Sequence, residues 1–397
     1  MILCGAMTKK KPTVVDEEMT TASLLEYFAS VPDPRIERSQ LHPLSSVLVL
    51  TVCAVICGAE SFVAVEYFGK AREDWLKTFI DLPNGIPSHD TIGRIFAMLD
   101  SKALELAFRD WAQALTTLTK GEVVAIDGKT LRRSFQQAGS GAFVHMVSAW
   151  AAGNQTVLGQ VKTDEKSNES TAIPRLLELL ELSGCLVTID AMGCQKEIAE
   201  KIVESKADYM LAVKDNQPTL AATIADVFEQ ALADPSFASA SNHHETRDKA
   251  HGRIDVRRCW TMNINAECGA PFDQWKNLRG IILVETERTH AGKTSIARRH
   301  YITSRANISA RSALRAIRSH WGIENKLHWV LDVTFREDDC RVRVGNAAEN
   351  FAVIRHIALN LLKAAPGPNG KKTSLKMKRG IAGWHHDYLL NVLGFAS

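Results

Sequence analysis

Between residues 20 and 118 the apolar positions fall at helical spacing. TASLLEYFASV opens this region, and VPDPR, with its two prolines, closes the first helix. From Leu44 to Ala59 the chain is almost continuously apolar. After the turn-rich PNGIPSHD, the stretch DTIGRIFAMLD sets Ile92, Ile95, Phe96 and Leu99 on one stripe, and ALELAFRDWAQAL repeats the pattern. A small helical domain over 20–118, preceded by a flexible 1–19, is predicted. DNA-end binding, dimerisation and plain scaffolding are all compatible with it.

At residue 121 the period changes from that of a helix to that of a strand. EVVAID, FVHMVSAWAA and QTVLGQVKT read as three strands of a meander. STAIPRLLELLELSG then reads as a helix closed by Gly184, CLVTID as a fourth strand, QKEIAEKIVESKA as a helix and DYMLAVK as a fifth strand. The pattern predicts an α/β fold: a mixed sheet with flanking helices, spanning 119–365. Residues 221–300 break the rhythm with a helix, a polar stretch and the strands GIILVETERT and SIARRHYITS, which suggests a strand-containing insertion. The helical RSALRAIRSHWGIENKLHWVLDV and the apolar ENFAVIRHIALNLLK come next. A Pro/Gly link then leads into a basic tail with a short helix over 366–397.

Composition narrows the classes. A net charge of +3 over 397 residues says little about nucleic acid, so local clusters must carry that case. The eight cysteines form no Cys-x-x-Cys pair, which suits reduced thiols in a cytoplasm and gives no zinc site. The run from Leu44 to Ala59 reaches roughly 24 Å at about 1.5 Å per residue, short of the ~30 Å hydrocarbon core. The lysines of MILCGAMTKKKP come after the apolar residues, the wrong order for a secretory signal. A cytoplasmic protein without a membrane is expected, associated with the nucleoid when bound to DNA.

Two apolar strands run into an aspartate, Asp127 and Asp190. Either acid alone would suit a turn cap. As neighbours in a sheet, however, their carboxylates would converge at one edge and repel unless a cation lay between them, and Mg²⁺ suits oxygen donors of this kind. Gly128 would let the backbone approach ion or phosphate, with Lys129, Arg132 and Arg133 beside it. Asp208 starts its strand and is a weaker candidate. Lys214, Asn216 and Gln217 come after the fifth strand and suit either a phosphate contact or a turn. Arg253, Arg257 and Arg258 make HGRIDVRR basic, either a phosphate-contacting strand or a solvated face. His243, His244 and Glu245 read as a solvent-exposed loop. Further on, Arg311, Arg315 and Arg318 repeat at helical spacing. His320 and His328 stand four residues either side of Glu324, so all three fall roughly on one helical face. That face suits a metal ligand beside a phosphate backbone, and equally a surface salt-bridge network. Between Ala364 and Gly383 the tail holds several Lys and Arg and no acid, the strongest local basic stretch in the chain.

With AIDGKTLRRS, TIDAMGCQ, LAVKDNQ, HGRIDVRR and HWGIENKLHWVLDVTFREDD in this order, the chain resembles the Asp-Asp-Glu (DDE) transposases of bacterial insertion sequences. Within them it is similar to the subgroup that includes the H-repeat-associated proteins. The resemblance runs from about residue 20 to the end. It implies a ribonuclease-H-like catalytic domain in which Asp127, Asp190 and Glu324 are catalytic and hold two Mg²⁺, or Mn²⁺ in their place. It also implies metal-dependent cleavage at transposon ends followed by joining of the freed 3′-hydroxyl to target DNA. The partners it implies are double-stranded DNA and further copies of the chain when active. Lys129, Arg132, Arg133, Lys214, Arg253, Arg318 and Lys326 are then candidate DNA contacts. His320, Asn325, His328 and Asp332 are candidates to support the site from behind.

Two positions depart from the wider pattern. Related transposases often carry an arginine four residues before the glutamate and a lysine seven after it, where this chain has His320 and Leu331. Asp332, Glu337 and Asp338 compete with Glu324 as the third acid, and the family match favours Glu324. The rival functions are a nuclease of the same fold that cuts without joining, and a DNA-binding protein derived from a transposase that has lost catalysis. A phosphatase with an aspartyl nucleophile usually needs a second Asp two residues on, where Lys129 stands.

Overall fold

The architecture is that of a computed structural model, which describes residues 21–132, 143–163, 169–234, 242–250, 252–264 and 268–394. One nine-stranded sheet runs through it, in the order β3-β2-β1-β4-β5-β9-β8-β7-β6. β1 (Val123–Leu131), β2 (Val144–Ala151) and β3 (Thr156–Lys162) form the antiparallel meander. β4 (Leu186–Ile189) and β5 (Asp208–Val213) add to it in parallel. This is the ribonuclease-H-like order, and it agrees with the reading of meander first and alternating helix and strand afterwards.

The strands of the 221–300 region extend the same sheet. β9 (Lys293–Thr303) pairs antiparallel with β5 from Met210↔Thr303 to Val213↔His300. Beyond it lie β8 (Gly280–His290), β7 (Arg253–Asn263) and β6 (His243–Ala250). His243, His244 and Glu245 therefore sit in a strand, not in the loop expected. β6 is the outermost strand and carries HHETRDKA, which has no apolar alternation for a pattern search to find.

The sheet's two faces carry different helices. Val124, Ile126, Val187 and Ile189 meet α7 (Glu169–Glu178), α8 (Lys196–Glu204) and α9 (Pro218–Ala233). On the other face, α10 (Ala310–Ile323) covers Leu186, Met210 and Ile282 with Ala313, Leu314 and Ile317.

The N-terminal helices α1 (Thr21–Ala29), α2 (Leu44–Ile56), α3 (Phe62–Ala71), α4 (Glu73–Leu76), α5 (His89–Met98) and α6 (Ser101–Leu115) share one core with Ala125, Trp150 and Val157 of the sheet. α2 is apolar all round because it is buried all round. α12 (Ala347–Ala364) runs through the middle of this core and carries amides that finish other elements. Asn360 meets both backbone groups of Val157, at 2.9 Å each, on the outermost strand β3. It thereby satisfies an edge that would otherwise lie buried and unpaired. Asn350 donates to the carbonyls of Phe96 and Leu99 at the end of α5.

Two cations of the basic tail, Lys378 and Arg379, are structural, while Lys371, Lys372 and Lys376 are exposed. In α13 (Leu375–Trp384), Lys378 donates to the carbonyls of Leu362 and Ala365 at the end of α12. Arg379 donates to those of Val55 and Ile56 at the end of α2. Both side chains are buried, so these two charges serve helix C-termini rather than DNA.

One acid is held here at a cost. Burial, then the charge of Glu349, pushes Glu105 of α6 up to about 8, and its Oε1 has no hydrogen-bond partner. A raised carboxyl binds its proton in the folded state and releases it on unfolding. Stability conferred below pH 4.5 is therefore lost as pH rises towards 8, by at most about 1.4 kcal/mol per pH unit. Glu105→Gln is expected to raise the midpoint of thermal unfolding at pH 8 and leave it nearly unchanged at pH 5. Equal shifts at both values would refute this account.

Candidate active site

The two aspartates meet where parallel pairing stops. The last β1–β4 pair is Ile126↔Ile189, and Asp127 and Asp190 are the next residues on each side. β1 itself does not end there, contrary to the expectation that Asp127 closes its strand. It continues to Leu131 because β2 goes on pairing with it as far as Val144. Asp127 thus sits mid-strand, on the rigid centre of the sheet, with one side laid open by the end of β4. Asp190 begins a turn in which its Oδ1 accepts from the N–H groups of Met192 (3.0 Å) and Gly193 (3.4 Å). Asn216 and Gln217 donate to the carbonyls of that same loop, at Ala191 and Cys194, so they shape it.

Glu324 reaches this edge from the helix above. α10 packs on β1 and β4, and at Glu324–His328 the helix widens into a π turn before α11 (Trp329–Val333). A π turn adds a residue and rotates the side chains beyond it, and such turns recur at functional sites. It corrects the expectation that His320, Glu324 and His328 share one face. Glu324 is exposed, His320 faces Thr188 of β4 (Nδ1···Oγ1 3.1 Å), and His328 turns inward to stand 3.5 Å from Asp127 Oδ2. Burial pushes His328 down to about 3, Lys129 adding to the effect, so it is neutral and its Nε2 has no partner. Burial also lowers His320, against the pull of Asp190.

Asp127 is pushed up to about 7, first by burial, then by Asp190, Glu169 and Glu324; only the N–H of Gly128 works against this. Carboxylates thus raise one another's cost of ionisation at this edge. The donors are carboxylate oxygens, which suits a hard divalent ion, and Asp127, Asp190 and Glu324 are the acids that would hold it. As the side chains stand, no three His, Cys, Asp or Glu among the described residues are close enough to enclose an ion. Glu324, exposed on its π turn, is the side chain with room to move.

Several expected DNA contacts lie elsewhere. Lys129 is 11% exposed and points into the protein, with its Nζ 2.6 Å from Asp332, 3.0 Å from Glu337 and 3.4 Å from Asp338. Burial alone would lower it, but Glu337 and Asp332 hold it above the usual lysine range. Asp332 is its partner and is raised by burial against Lys129's pull. Arg253 lies 3.5 Å from Asp255, which also takes Arg257 and Arg288. Arg258 binds Glu245, Glu285 and Glu287, so the basic strand is paired with carboxylates of its own Asp255 and of the adjoining strands β6 and β8. Arg318 pairs with Asp248 at 3.0 Å but stays half exposed. Asn325 donates back to the Trp321 carbonyl. Arg132 is 77% exposed beside Asp338, while Lys214 and Lys326 are exposed. Arg133 lies outside the described residues. Leu331, where relatives often have lysine, is buried in the core, so no basic side chain could face outward there.

Beside Glu324 a groove runs between α10 and β6. Arg311, Arg315, Arg318 and Lys326 line it with Trp321 and His244. Sequence reasoning found its arginines but missed Glu169 and His145, and it took Glu337 as a competitor for the third acid, whereas Glu337 is buried and anchors Lys129. The acid run REDD was the only signal for Glu337, and it gave no sign of burial.

The family pattern described as "Transposase DDE domain" matches residues 118–361, and that described as "DDE_Tnp_1-associated" matches residues 25–112. The chain belongs to the DDE transposase family. "Putative transposase YncI" of Escherichia coli O157:H7 is 43% identical over 384 residues, 96% of each chain. "H repeat-associated putative transposase YhhI" of E. coli K12 is 40% identical over 382 residues, 94% of this chain and 98% of that one. A cryo-EM structure of a piggyBac transposase synaptic complex with hairpin DNA overlays at TM-score 0.46 and 11% identity, covering 94% of this chain and 76% of that one. Within the DDE family the departures at His320 and Leu331 have local causes: the first residue packs against β4, and the second fills the core.

Proposed function

We propose that the chain is a DNA transposase that cuts at the ends of its element and joins the freed 3′-hydroxyl to target DNA. Asp127, Asp190 and Glu324 act through Mg²⁺ or Mn²⁺. The observation that supports this reading is that Asp127 and Asp190 follow the last β1–β4 pair at one sheet edge, with Glu324 near enough for its charge to raise Asp127 and an arginine-lined groove beside it. A divalent cation bound there would supply a nucleophilic water near neutral pH and neutralise charge on the leaving oxygen. The protein's own part is positional. β1 and β4 hold Asp127 and Asp190 at the sheet edge, and Glu324, exposed on its π turn, would close over the ion they hold. Arg311, Arg315 and Lys326, with exposed Arg132 and Lys214, offer cations to a duplex backbone. Cutting and joining are both in-line displacements at phosphorus, so no covalent protein intermediate is required. Pairing two ends calls for at least two copies of the chain.

The test uses duplexes carrying the element's terminal repeats, then a pre-cut end with target plasmid, each with Mg²⁺. Cleavage plus joined product is expected. Cleavage without joining of the pre-cut end would instead make the protein a nuclease, and binding without either reaction would make it a DNA-binding relic.

A further inference from the structure

The three acids of the family motif leave one neighbour unexplained. Glu169 is the first residue of α7, on the face of the sheet opposite α10, and its side chain is only 14% exposed. It lies against Gly128, the residue after Asp127 on β1. A Cβ built on Gly128 would lie 2.0 Å from Glu169 Oε1, 2.5 Å from its Cδ and 2.5 Å from His145 Nε2. A side chain at this position would have to displace Glu169 or His145, so the glycine leaves room for the Glu169 carboxylate as well as for the backbone approach that the sequence suggested.

The carboxylate is held from behind. His145 Nε2 stands 2.8 Å from Glu169 Oε1, and Thr130 Oγ1 stands 2.9 Å from His145 Nδ1. With a proton on Nε2, the imidazole donates to the carboxylate and accepts from the threonine, which fixes the orientation of the acid. α7 is in turn anchored by Ala172, Ile173, Leu176 and Leu177 against the sheet, and its N-terminus favours a negative charge at this position. Besides His145, the Glu169 carboxylate lies against the backbone of the residue next to Asp127.

We propose that Glu169 is a fourth carboxylate of the site, admitted by Gly128 and oriented by His145, and that it adds to the affinity of the divalent ion held by Asp127. This rests on the transposase reading above. It predicts that ion binding depends on a residue outside the Asp-Asp-Glu motif.

The test is Mn²⁺ affinity of the full chain, by calorimetry or by loss of the free Mn²⁺ electron paramagnetic resonance signal. Glu169→Gln keeps the acceptor for His145 and removes only the charge, so a purely structural role would leave affinity unchanged. A loss of about tenfold or more is expected. Gly128→Ala is expected to act alike, and the double variant to lose no more than either single one, because both remove one interaction. Should Gly128→Ala fail to fold, Glu169→Gln decides alone. Glu178→Gln, at the far end of α7, should bind as the parent does. Unchanged affinity in Glu169→Gln, with binding lost in Asp127→Asn, would overturn this proposal and leave the transposase reading standing. Absence of Mn²⁺ binding in the parent chain would overturn both.

Discussion

Alanine in place of Asp127, Asp190 or Glu324 is expected to reduce end cleavage by about 10³-fold or more, while affinity for the terminal-repeat duplex changes little. Several kcal/mol of transition-state stabilisation depend on ions held by these oxygens, at about 1.4 kcal/mol per tenfold. Binding, by contrast, rests on phosphate contacts with Lys and Arg. The Asp127 variant has a further signature. Its carboxyl is pushed up to about 7 by burial and by its neighbours, so in metal-free protein its ionisation opposes folding. That destabilisation grows with pH from about 4 up to about 7 and is complete above it. Asp127→Asn should therefore melt higher than the parent at pH 8 without metal, even as it loses cleavage. An inactive variant that melts lower would suggest misfolding. Cleavage retained in all three alanine variants would remove the catalytic assignment.

Lys129→Met is expected to destabilise the fold by about 3 kcal/mol or more, read as a lower midpoint in urea or heat. The reason lies in Glu337, 2% exposed. Burial works against its charge, yet Lys129 and Arg355 hold it below the usual carboxylate range. Removing the nearer cation leaves Arg355 at 3.5 Å as its remaining ion-pair partner and strips Asp332 as well. Breaking one side of a buried pair costs several kcal/mol, because the other charge stays buried. Glu337→Gln placed on top should restore part of the loss. A Lys129 variant as stable as the parent, with weakened DNA binding, would return Lys129 to the phosphate contact that its position after Asp127 first suggested.

That reversal marks where the sequence stops being readable. The meander, the two β-strands after it and the acids at 127 and 190 were visible because short apolar runs, apolar on both faces at 123–126, lead into those acids. The helical N-terminal region was visible because Ile92, Ile95, Phe96 and Leu99 repeat at helical spacing. Charge is harder to read. DGKTLRR looks like a basic patch, yet Lys129 points at three acids some two hundred residues later in the chain. HGRIDVRR looks basic too, and its partners lie on strands β6 and β8. The helix around Glu324 obeys a 3.6-residue period on paper, and a single π turn is enough to turn His328 inward. Glu169 left no trace, because its significance depends on the space that a glycine forty-one positions earlier leaves open.

The placement of α13 also constrains how the chain is made. Arg379 completes the end of α2, and Lys378 the end of α12. The helices synthesised first therefore carry open carbonyls until residues 375–384 have left the ribosome. A chain lacking α13 would leave those carbonyls without their donors, beneath the same core on which Ala125 of β1 packs.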